Sequence, residues 1–426
     1  MHQPLAASAE ALLLHTLLQL SLIMLAARLA GHLARRLGQP RVVGEIMAGL
    51  LLGPSLFGLL APDLFHWLFR SRDGTALTIM SQIGLIMLMF QVGLEFDFGQ
   101  LGEGRNRRAV ILVTASGMVL PFALGSAWGL ASAVPLRSGE SLAYPLFLGL
   151  ALAITAVPVL GRIMMEYALT RTRLGVITIA AAAANDALGW VLLALVSAAA
   201  SQHLSFAAMA ETTGWLLAYG LSSWFLVRRI LVLIVRRFDH GTDALPQDLL
   251  AILLIIVFSS AMLTSRLGIF AIFGGFMVGV LLHDQADLVE AWKQKAADLV
   301  TVFFLPIYFT YTGLRTDLGA LDSGVLWSWC GALILLAVVG KFGGCYLAAR
   351  LAGLPPGDAR NIGILMNTRG LMELVVANLG YDLGVIPREV FTMLVLMALV
   401  STLMTAPGLK LWLPASGHRL LAGRDA

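Results

Sequence analysis

The chain has 426 residues, of which 58% are hydrophobic and only 13% are charged, and its formal net charge is +4. About a quarter of the residues in soluble globular proteins are charged, so this composition excludes that class and indicates lipid as the main solvent. Because hydrocarbon offers no water to backbone N–H and C=O groups, spanning segments of roughly 20 apolar residues must be helical. The predicted fold class is therefore an all-α integral membrane protein.

Apolar runs between polar breaks predict about thirteen transmembrane helices. Predicted helices 1 to 13 cover residues 11–31, 41–60, 76–96, 108–131, 143–165, 174–200, 208–235, 247–265, 268–283, 297–313, 325–349, 361–380 and 389–412. The first run has no basic residue before it and is longer than the core of a signal peptide, so we expect it to remain as helix 1.

The basic residues predict an orientation. With the N-terminus outside, most of the 29 Lys and Arg residues fall in cytoplasmic loops and a few in external loops, while Lys341 and Arg369 lie within the membrane. Because cytoplasmic loops are enriched in Lys and Arg, this distribution predicts an N-out, C-in topology. We expect a multi-pass protein of a bacterial-type cytoplasmic membrane, in contact with membrane lipid. Topology explains the excess of cations, and we expect no nucleic-acid partner.

Two segments of the first half recur in the second half. The matched pairs are Gly44–Leu52 with Gly274–Leu282, and Gln91–Phe98 with Tyr311–Leu318. Helices 2 and 3 then correspond to helices 9 and 10, and the odd offset of seven helices turns the second copy upside down. Secondary transporters are commonly built as such inverted repeats, with a midplane site between them. Short glycine-rich helices can also resemble one another by chance.

The repeat predicts the organisation of the whole chain. We expect one transmembrane transporter domain spanning residues 1–426, with repeat one at about 11–200 and repeat two at about 247–413. A linker helix at about 208–235 joins the two repeats of six helices, and helices 5 and 12 correspond.

Predicted helix 5 is interrupted near its middle. Pro158 has no backbone N–H and frees a carbonyl group near Ile154. Freed backbone at membrane depth is tolerated where it lines a cavity or is buried in protein. Thr155 and Ala156 are therefore candidates for an ion site formed where helices 5 and 12 cross. A simple proline kink is the alternative.

Predicted helix 6 carries Asp186 far from either end, in a run of alanines that also contains Asn185. A charged side chain at the bilayer centre costs a few kcal/mol, so such residues are rare and usually functional. Burial favours the protonated carboxyl and a bound cation favours the ionised form, so one group can hold H⁺ or a cation in turn. The small alanines let helix 5 approach, and an oxygen-lined site at Asp186 suits Na⁺ or K⁺. A structural carboxylate paired with Lys or Arg is the alternative.

Three further charges lie deep in the predicted membrane. Lys341 in helix 11 stands nine residues before Arg350, roughly 13 Å inside at 1.5 Å per residue. We expect it to support the interrupted helices, and an interfacial lysine is the alternative. In helix 12, Gly370 breaks the apolar run, and Arg369 and Glu373 share a helix face. A structural ion pair between these two and a functional role remain alternatives. The eight histidines show no ligand spacing, and we expect no cofactor, no catalytic residue and no enzyme activity.

Several segments together resemble a known family. They are Arg41–Pro54, Ala153–Leu160, Asn185–Asp186 and Met366–Glu373. These resemble the cation:proton antiporter-2 family of sodium (potassium)/proton exchangers, over essentially the whole chain. The resemblance implies a homodimer in which helices 1–3 and 8–10 form a dimerisation domain and helices 4–6 and 11–13 a core that moves like an elevator. It implies that Asp186 carries the ion and the proton and that Thr155 lines the site.

One departure from the family bears on the stoichiometry. Electrogenic members have two adjacent aspartates, whereas Asn185 precedes Asp186 here, which favours electroneutral 1:1 exchange and leaves Lys341 without its usual partner. We expect a secondary antiporter for Na⁺, with K⁺ possible, that serves pH homeostasis and has no C-terminal regulatory domain. The alternatives are a channel-like K⁺ efflux protein and an organic-anion symporter, with Arg369 as its substrate anchor.

Overall fold

The computed structural model describes residues 5–69, 74–94, 106–136, 142–167, 169, 172–201, 214–215, 218–238, 245–267 and 271–413. All regular structure in these residues is helical. The helices are α1 (Leu5–Arg36), α2 (Arg41–Leu52), α3 (Phe57–Leu60), α4 (Pro62–Phe69), α5 (Gly74–Leu94), α6 (Arg107–Ser132), α7 (Ala143–Ala153), α8 (Val157–Glu166), α9 (Arg173–Ser201), α10 (Arg228–Arg237), α11 (Gln247–Arg266), α12 (Ala271–Leu281), α13 (Ala286–Lys295), α14 (Leu305–Arg315), α15 (Gly324–Val338), α16 (Gly344–Leu351), α17 (Pro356–Met366), α18 (Leu371–Asp382) and α19 (Arg388–Trp412).

Ten helical segments of the described residues are long and apolar enough to cross a membrane. They account for ten of the thirteen predicted helices. Predicted helices 5 and 12 are each split into two shorter helices, and predicted helix 9 is described only as α12. The first residues of predicted helix 7 lie outside the described residues. The count of thirteen and the N-out, C-in orientation stay predictions.

Two helices were not expected from the apolar pattern. α4 and α13 have only eight and ten residues, so neither can span a bilayer. In α13, Asp287 lies in the first turn and Lys293 and Lys295 lie in the last, an arrangement that complements the helix dipole. Predicted helix 2 is also interrupted, because α2 ends at Leu52 shortly before Pro54. Proline disfavours a helical conformation of the residue that precedes it.

The chain divides into two compact units, each built from separate stretches of sequence. The first unit comprises Met1–His32, Gly44–Asp97 and Leu204–Thr316, and the second unit comprises Leu33–Val43, Phe98–His203 and Asp317–Ala426. The second unit contains predicted helices 4–6 and 11–13. This is the grouping that the resemblance implies, and the roles of the two units stay predictions.

Glycine contacts hold the first unit together where the recurring segments meet. A Cβ atom added to Gly49 would lie 2.3 Å from the carbonyl oxygen of Phe309, and one on Gly313 would lie 2.1 Å from the carbonyl carbon of Gly49. In the same way, a Cβ on Gly279 would lie 2.2 Å from the Phe90 oxygen, and one on Gly93 would lie 3.0 Å from Gly279. Gly49 and Gly279 occupy matching positions of the recurring segments, and so do Gly93 and Gly313. They support the inverted repeat, which stays a prediction.

The second unit packs around α9. This helix contacts α6, α7, α8 and α17, so it touches both of the helices that were predicted to be interrupted. α19 packs against α15, α17 and α18. Between α15 and α16 a five-residue π-helical turn, Val339–Gly343, carries Lys341 into the interior. Such turns are rare and are frequent at functional sites.

Candidate functional site

The first helix break separates α7 from α8. α7 ends at Ala153, Ile154 is extended (φ −69°, ψ 148°), and α8 begins at Val157. Pro158 is the second residue of α8, where its fixed φ suits the start of a helix and its missing N–H is not needed. Thr155 and Ala156 lie in the break itself and are buried. The proline therefore begins the second half-helix and does not kink a continuous one.

The second helix break separates α17 from α18. α17 ends at Met366, and α18 begins at Leu371 after Gly370, which has φ 154° and ψ −119°. Side chains of α19 hold the break in place. The Thr402 hydroxyl donates to the Arg369 carbonyl at 2.6 Å and accepts from the Arg369 N–H at 3.2 Å. The hydroxyl groups of Thr368 and Thr405 are 3.2 Å apart.

The two breaks meet each other. The backbone N–H of Ala156 donates to the carbonyl of Thr368 at 3.4 Å. A Cβ added to Gly370 would lie 3.1 Å from Val159 Cγ2 and 3.8 Å from Ala156 Cβ. The ends of four half-helices are thus close together, and the fixed partial charges of their termini are concentrated around one point.

We expect Gly370→Ala to destabilise the protein by about 1–3 kcal/mol, because φ 154° is strained for any residue with a Cβ atom. Thermal unfolding of the purified protein in detergent measures this. Gly161→Ala is the matched control, since Gly161 lies in α8 and an added Cβ would meet nothing within 4 Å. Equal melting temperatures for the two variants would show that the break does not need glycine.

Asp186 lies in the middle of α9 and is 1% exposed. Neither of its carboxylate oxygens has a hydrogen-bond partner among the described residues, and the same holds for both amide atoms of Asn185. Gly189, one turn further along α9, faces the first break, since an added Cβ would lie 2.9 Å from Ile154 Cγ1. The helix that carries Asp186 therefore packs directly against the break.

Lys341 reaches the first break from the π-helical turn. Its buried ammonium group donates to the Gly117 carbonyl at 2.7 Å and also to the carbonyl of Ala153, the last residue of α7. It interacts electrostatically with Asp186, Arg369 and Glu373. Its hydrogen bonds go to backbone carbonyls, and its charge lies at the negative end of the α7 dipole, where a cation is stabilised.

Arg369 binds the same end of α7. Its guanidinium group donates to the carbonyl groups of Ala151 at 2.8 Å and Leu152 at 2.7 Å. Its remaining contact, to Glu373 Oε1, is longer at 3.5 Å. An ion pair between Arg369 and Glu373 was one of the two alternatives from the sequence, and the shorter hydrogen bonds of the arginine go to the other broken helix. Glu373 lies in the first turn of α18, where the helix dipole favours a negative charge.

Buried oxygen atoms without a partner remain near the crossing. Among the described residues, Thr155 Oγ1, Asn185 Oδ1, Asn367 Oδ1 and both carboxylate oxygens of Asp186 have none. Leaving buried polar atoms unpaired costs free energy, and oxygen atoms are the ligands that alkali cations prefer. The donor set therefore fits a small monovalent cation or a proton. The last three carbonyl groups of α7 already accept hydrogen bonds from Lys341 and Arg369. They are therefore not the freed carbonyl group near Ile154 that the sequence pointed to.

The predicted site residues all belong to the second unit. The structure places Thr155, Ala156, Pro158 and Gly370 at the crossing, and Lys341 and Arg369 on the end of α7. Contributors that were not identified from the sequence include Gly117, Asn367 and Thr402. Asn367 was inside the polar segment of helix 12, but Gly117 contributes a backbone carbonyl, which leaves no signal in a sequence.

Comparisons with known proteins agree on one family. The family described as "Sodium/hydrogen exchanger, transmembrane" matches residues 21–413. The Na⁺/H⁺ antiporter NhaS4 of Synechocystis is 39% identical over 92% of this chain and 95% of its own length. Cation/H⁺ antiporter 17 of Arabidopsis thaliana is 36% identical over 92% of this chain, and K⁺/H⁺ antiporter 1 of Saccharomyces cerevisiae is 32% identical over 94%. The chain spans about half the length of the plant and yeast relatives.

A solved structure shows the same fold. The sodium proton antiporter MjNhaP1 of Methanocaldococcus jannaschii superimposes with a TM-score of 0.66 over 97% of this chain and 100% of its own, at 16% identity. The family match extends from α1 to the end of α19, and ten described helices can cross a membrane. The chain is a multi-pass membrane protein and belongs to the sodium/hydrogen exchanger family.

Proposed function

We propose that this protein is a secondary antiporter that exchanges one monovalent cation for one proton at Asp186. The observation that carries the proposal is the environment of this side chain. A carboxylate that is 1% exposed, on a helix that contacts both interrupted helices, has no hydrogen-bond partner for either oxygen among the described residues. A permanent negative charge there would be costly, so the site favours either a bound proton or a bound cation.

Fixed charges around Asp186 support electroneutral exchange. Lys341 donates to two carbonyl groups, and Arg369 and Glu373 form a buried ion pair. These contacts suit the charged forms of all three groups, so we infer that they keep their charge throughout the cycle. The loaded site then has the same net charge whether Asp186 holds a proton or a monovalent cation. The cation-loaded site and the proton-loaded site cross in opposite directions with equal charge, so no net charge moves across the membrane.

We propose Na⁺ as the main substrate, with K⁺ as a second one. The unpartnered atoms are oxygens, which suit hard alkali cations of either size. The relative with 39% identity is named as a Na⁺/H⁺ antiporter, while the yeast relative is named as a K⁺/H⁺ antiporter. Exchange of either ion for protons serves pH homeostasis.

For the transport step we propose an elevator motion of the second unit within a homodimer embedded in membrane lipid. Both helix breaks, Asp186 and the three other buried charges belong to this one compact unit. It can therefore carry the bound ion without rearranging its ligands. Keeping the buried charges paired inside one body avoids exposing them to lipid.

The two alternative functions have less support. An organic-anion symporter needs a basic anchor that is free to bind its substrate, but the guanidinium group of Arg369 already donates to two carbonyl groups and to Glu373. A channel-like K⁺ efflux protein predicts flux that is uncoupled from protons. No contact of the described residues favours such uncoupling.

Reconstitution into proteoliposomes tests the proposal. With a pH-sensitive dye inside, adding Na⁺ or K⁺ outside should move protons in the opposite direction. The initial rate with Na⁺ should be the same with and without a valinomycin clamp at equal internal and external K⁺, because no charge accumulates. Cation flux without proton movement would favour the channel. A rate that the clamp increases would contradict 1:1 stoichiometry.

A further inference from the structure

Gly117 lies in the middle of α6, where four elements of the second unit meet. It is buried, and its carbonyl oxygen accepts a hydrogen bond from the ammonium group of Lys341 at 2.7 Å. A Cβ atom at this position would lie 2.9 Å from Asn185 Nδ2, 2.9 Å from Cys345 Sγ and 3.5 Å from Met366 Cε. Real Cβ atoms essentially never approach other atoms within 3.0 Å. The missing side chain therefore leaves space that the Asn185 amide and the Cys345 thiol occupy.

The rest of α6 also lies close to the π-helical turn and to the start of α16. A Cβ on Gly340 would lie 3.2 Å from Pro121 Cα, and one on Gly344 would lie 2.9 Å from Ser116 Oγ. The Cys345 thiol also faces the Val113 carbonyl at 3.9 Å. α6 thus packs closely against the segment that carries Lys341. At Gly117, the backbone carbonyl of α6 accepts a hydrogen bond from Lys341, and the absence of a side chain makes room for the Asn185 amide.

We propose that Gly117 is a positioning residue of the exchange site. Its carbonyl fixes the Lys341 ammonium group between α6 and the end of α7, and its lack of a side chain keeps the Asn185 amide beside Asp186. This role rests on the proposed antiport at Asp186 and adds to it the residue that sets the distance between the site and its fixed positive charge. Gly117 itself touches neither the cation nor the proton.

Gly117→Ala tests the proposal. The new methyl group must displace the Asn185 amide, the Cys345 thiol or the α6 backbone, and each shift changes the surroundings of Asp186. We expect the KM for Na⁺ to rise about fivefold or more, with the maximal rate changed by less than about twofold. The readout is the Na⁺ dependence of proton movement in proteoliposomes. A purely structural defect would lower the maximal rate and leave KM unchanged.

Compensating variants separate positioning from packing. Cys345→Ala removes one of the two atoms that would lie closer than 3.0 Å to the new methyl group, so α6 can shift towards the vacant thiol position. Gly117→Ala combined with Cys345→Ala should therefore bring KM back to within about twofold of the original value. Cys345→Ala alone should leave KM unchanged. Gly331→Ala is the matched control, because an added Cβ in α15 would meet nothing within 4 Å.

A second double-mutant cycle tests whether Gly117 acts through Asn185. In an Asn185→Ala background the amide that the methyl group displaces is absent, so Gly117→Ala should add little further change in KM. If Gly117→Ala folds and keeps the KM of the original protein, Gly117 has no positioning role, while the proposed antiport stands. If KM rises but neither Cys345→Ala nor Asn185→Ala alters the effect, the role is also wrong. A wild-type protein without exchange would overturn both proposals.

Discussion

Asp186→Asn is expected to reduce cation-dependent proton movement to the level of protein-free liposomes. Asparagine keeps the size of the side chain but can neither bind a proton nor neutralise a cation, so both substrates lose their common site. The protein should nevertheless fold, because the carboxylate has no hydrogen-bond partner to lose among the described residues. Its thermal stability should be similar to that of the original protein, since the substitution keeps the size of the side chain and removes no hydrogen bond. Dye dequenching and thermal unfolding on the same preparation measure both effects.

A matched control is available in the first unit. Asp248 lies in the first turn of α11 and is exposed, so Asp248→Asn removes a carboxylate of the same type away from the crossing. This variant should retain full exchange. Asp186→Glu keeps the carboxylate but moves it by one methylene group, and we expect partial exchange with a raised KM. Persistent exchange in Asp186→Asn would assign the proton to another group.

The second large effect is expected at Arg369. Arg369→Met removes the donor to the carbonyl groups of Ala151 and Leu152 and leaves Glu373 as a buried charge without its partner. Breaking a buried ion pair from one side costs about 3–5 kcal/mol. We therefore expect a strong loss of folded protein, seen as a lower melting temperature and a poor yield after purification.

A double variant separates the effect of the unpaired charge on Glu373 from the effect of losing the carbonyl contacts of Arg369. Arg369→Met with Glu373→Gln also removes the unpaired carboxylate, so part of the lost stability should return, by about 0.5–3 kcal/mol for residues in direct contact. Glu373→Gln alone should cost less than Arg369→Met, because the arginine keeps its two carbonyl acceptors. If the two single effects simply add, Arg369 and Glu373 do not interact, and Arg369 stabilises α7 alone.

Strong local signals make much of the helical architecture predictable from the sequence. Long apolar runs identify ten described helices, and Pro158 and Gly370 mark the two helix breaks. α4 and α13 were missed because short helices with charged ends do not resemble membrane spans. Predicted helix 2 has the same bounds as the apolar span Arg41–Leu60, but the apolar pattern did not show that the helix is interrupted between Leu52 and Phe57.

The charged residues of the site were identified, but their contacts were not. Asp186, Lys341, Arg369 and Glu373 stand out because charges are rare in membrane segments. Lys341 and Arg369 bind backbone carbonyls of α7 that lie 188 and 217 to 218 positions away in the chain. Every residue has a carbonyl group, so sequence alone cannot show which one is used. For the same reason the spacing of Arg369 and Glu373 left a structural ion pair and a functional role as alternatives.

The most direct test of the central claim is the number of protons released when a cation binds to Asp186. Isothermal titration calorimetry of the purified protein with Na⁺ or K⁺, in two buffers of different ionisation enthalpy, gives this number. Shared occupancy predicts that about one proton leaves for each cation bound at a pH where the carboxyl group is protonated, and that the cation Kd rises about tenfold per unit fall in pH. Cation binding without proton release, or with a Kd that does not depend on pH, would contradict the account.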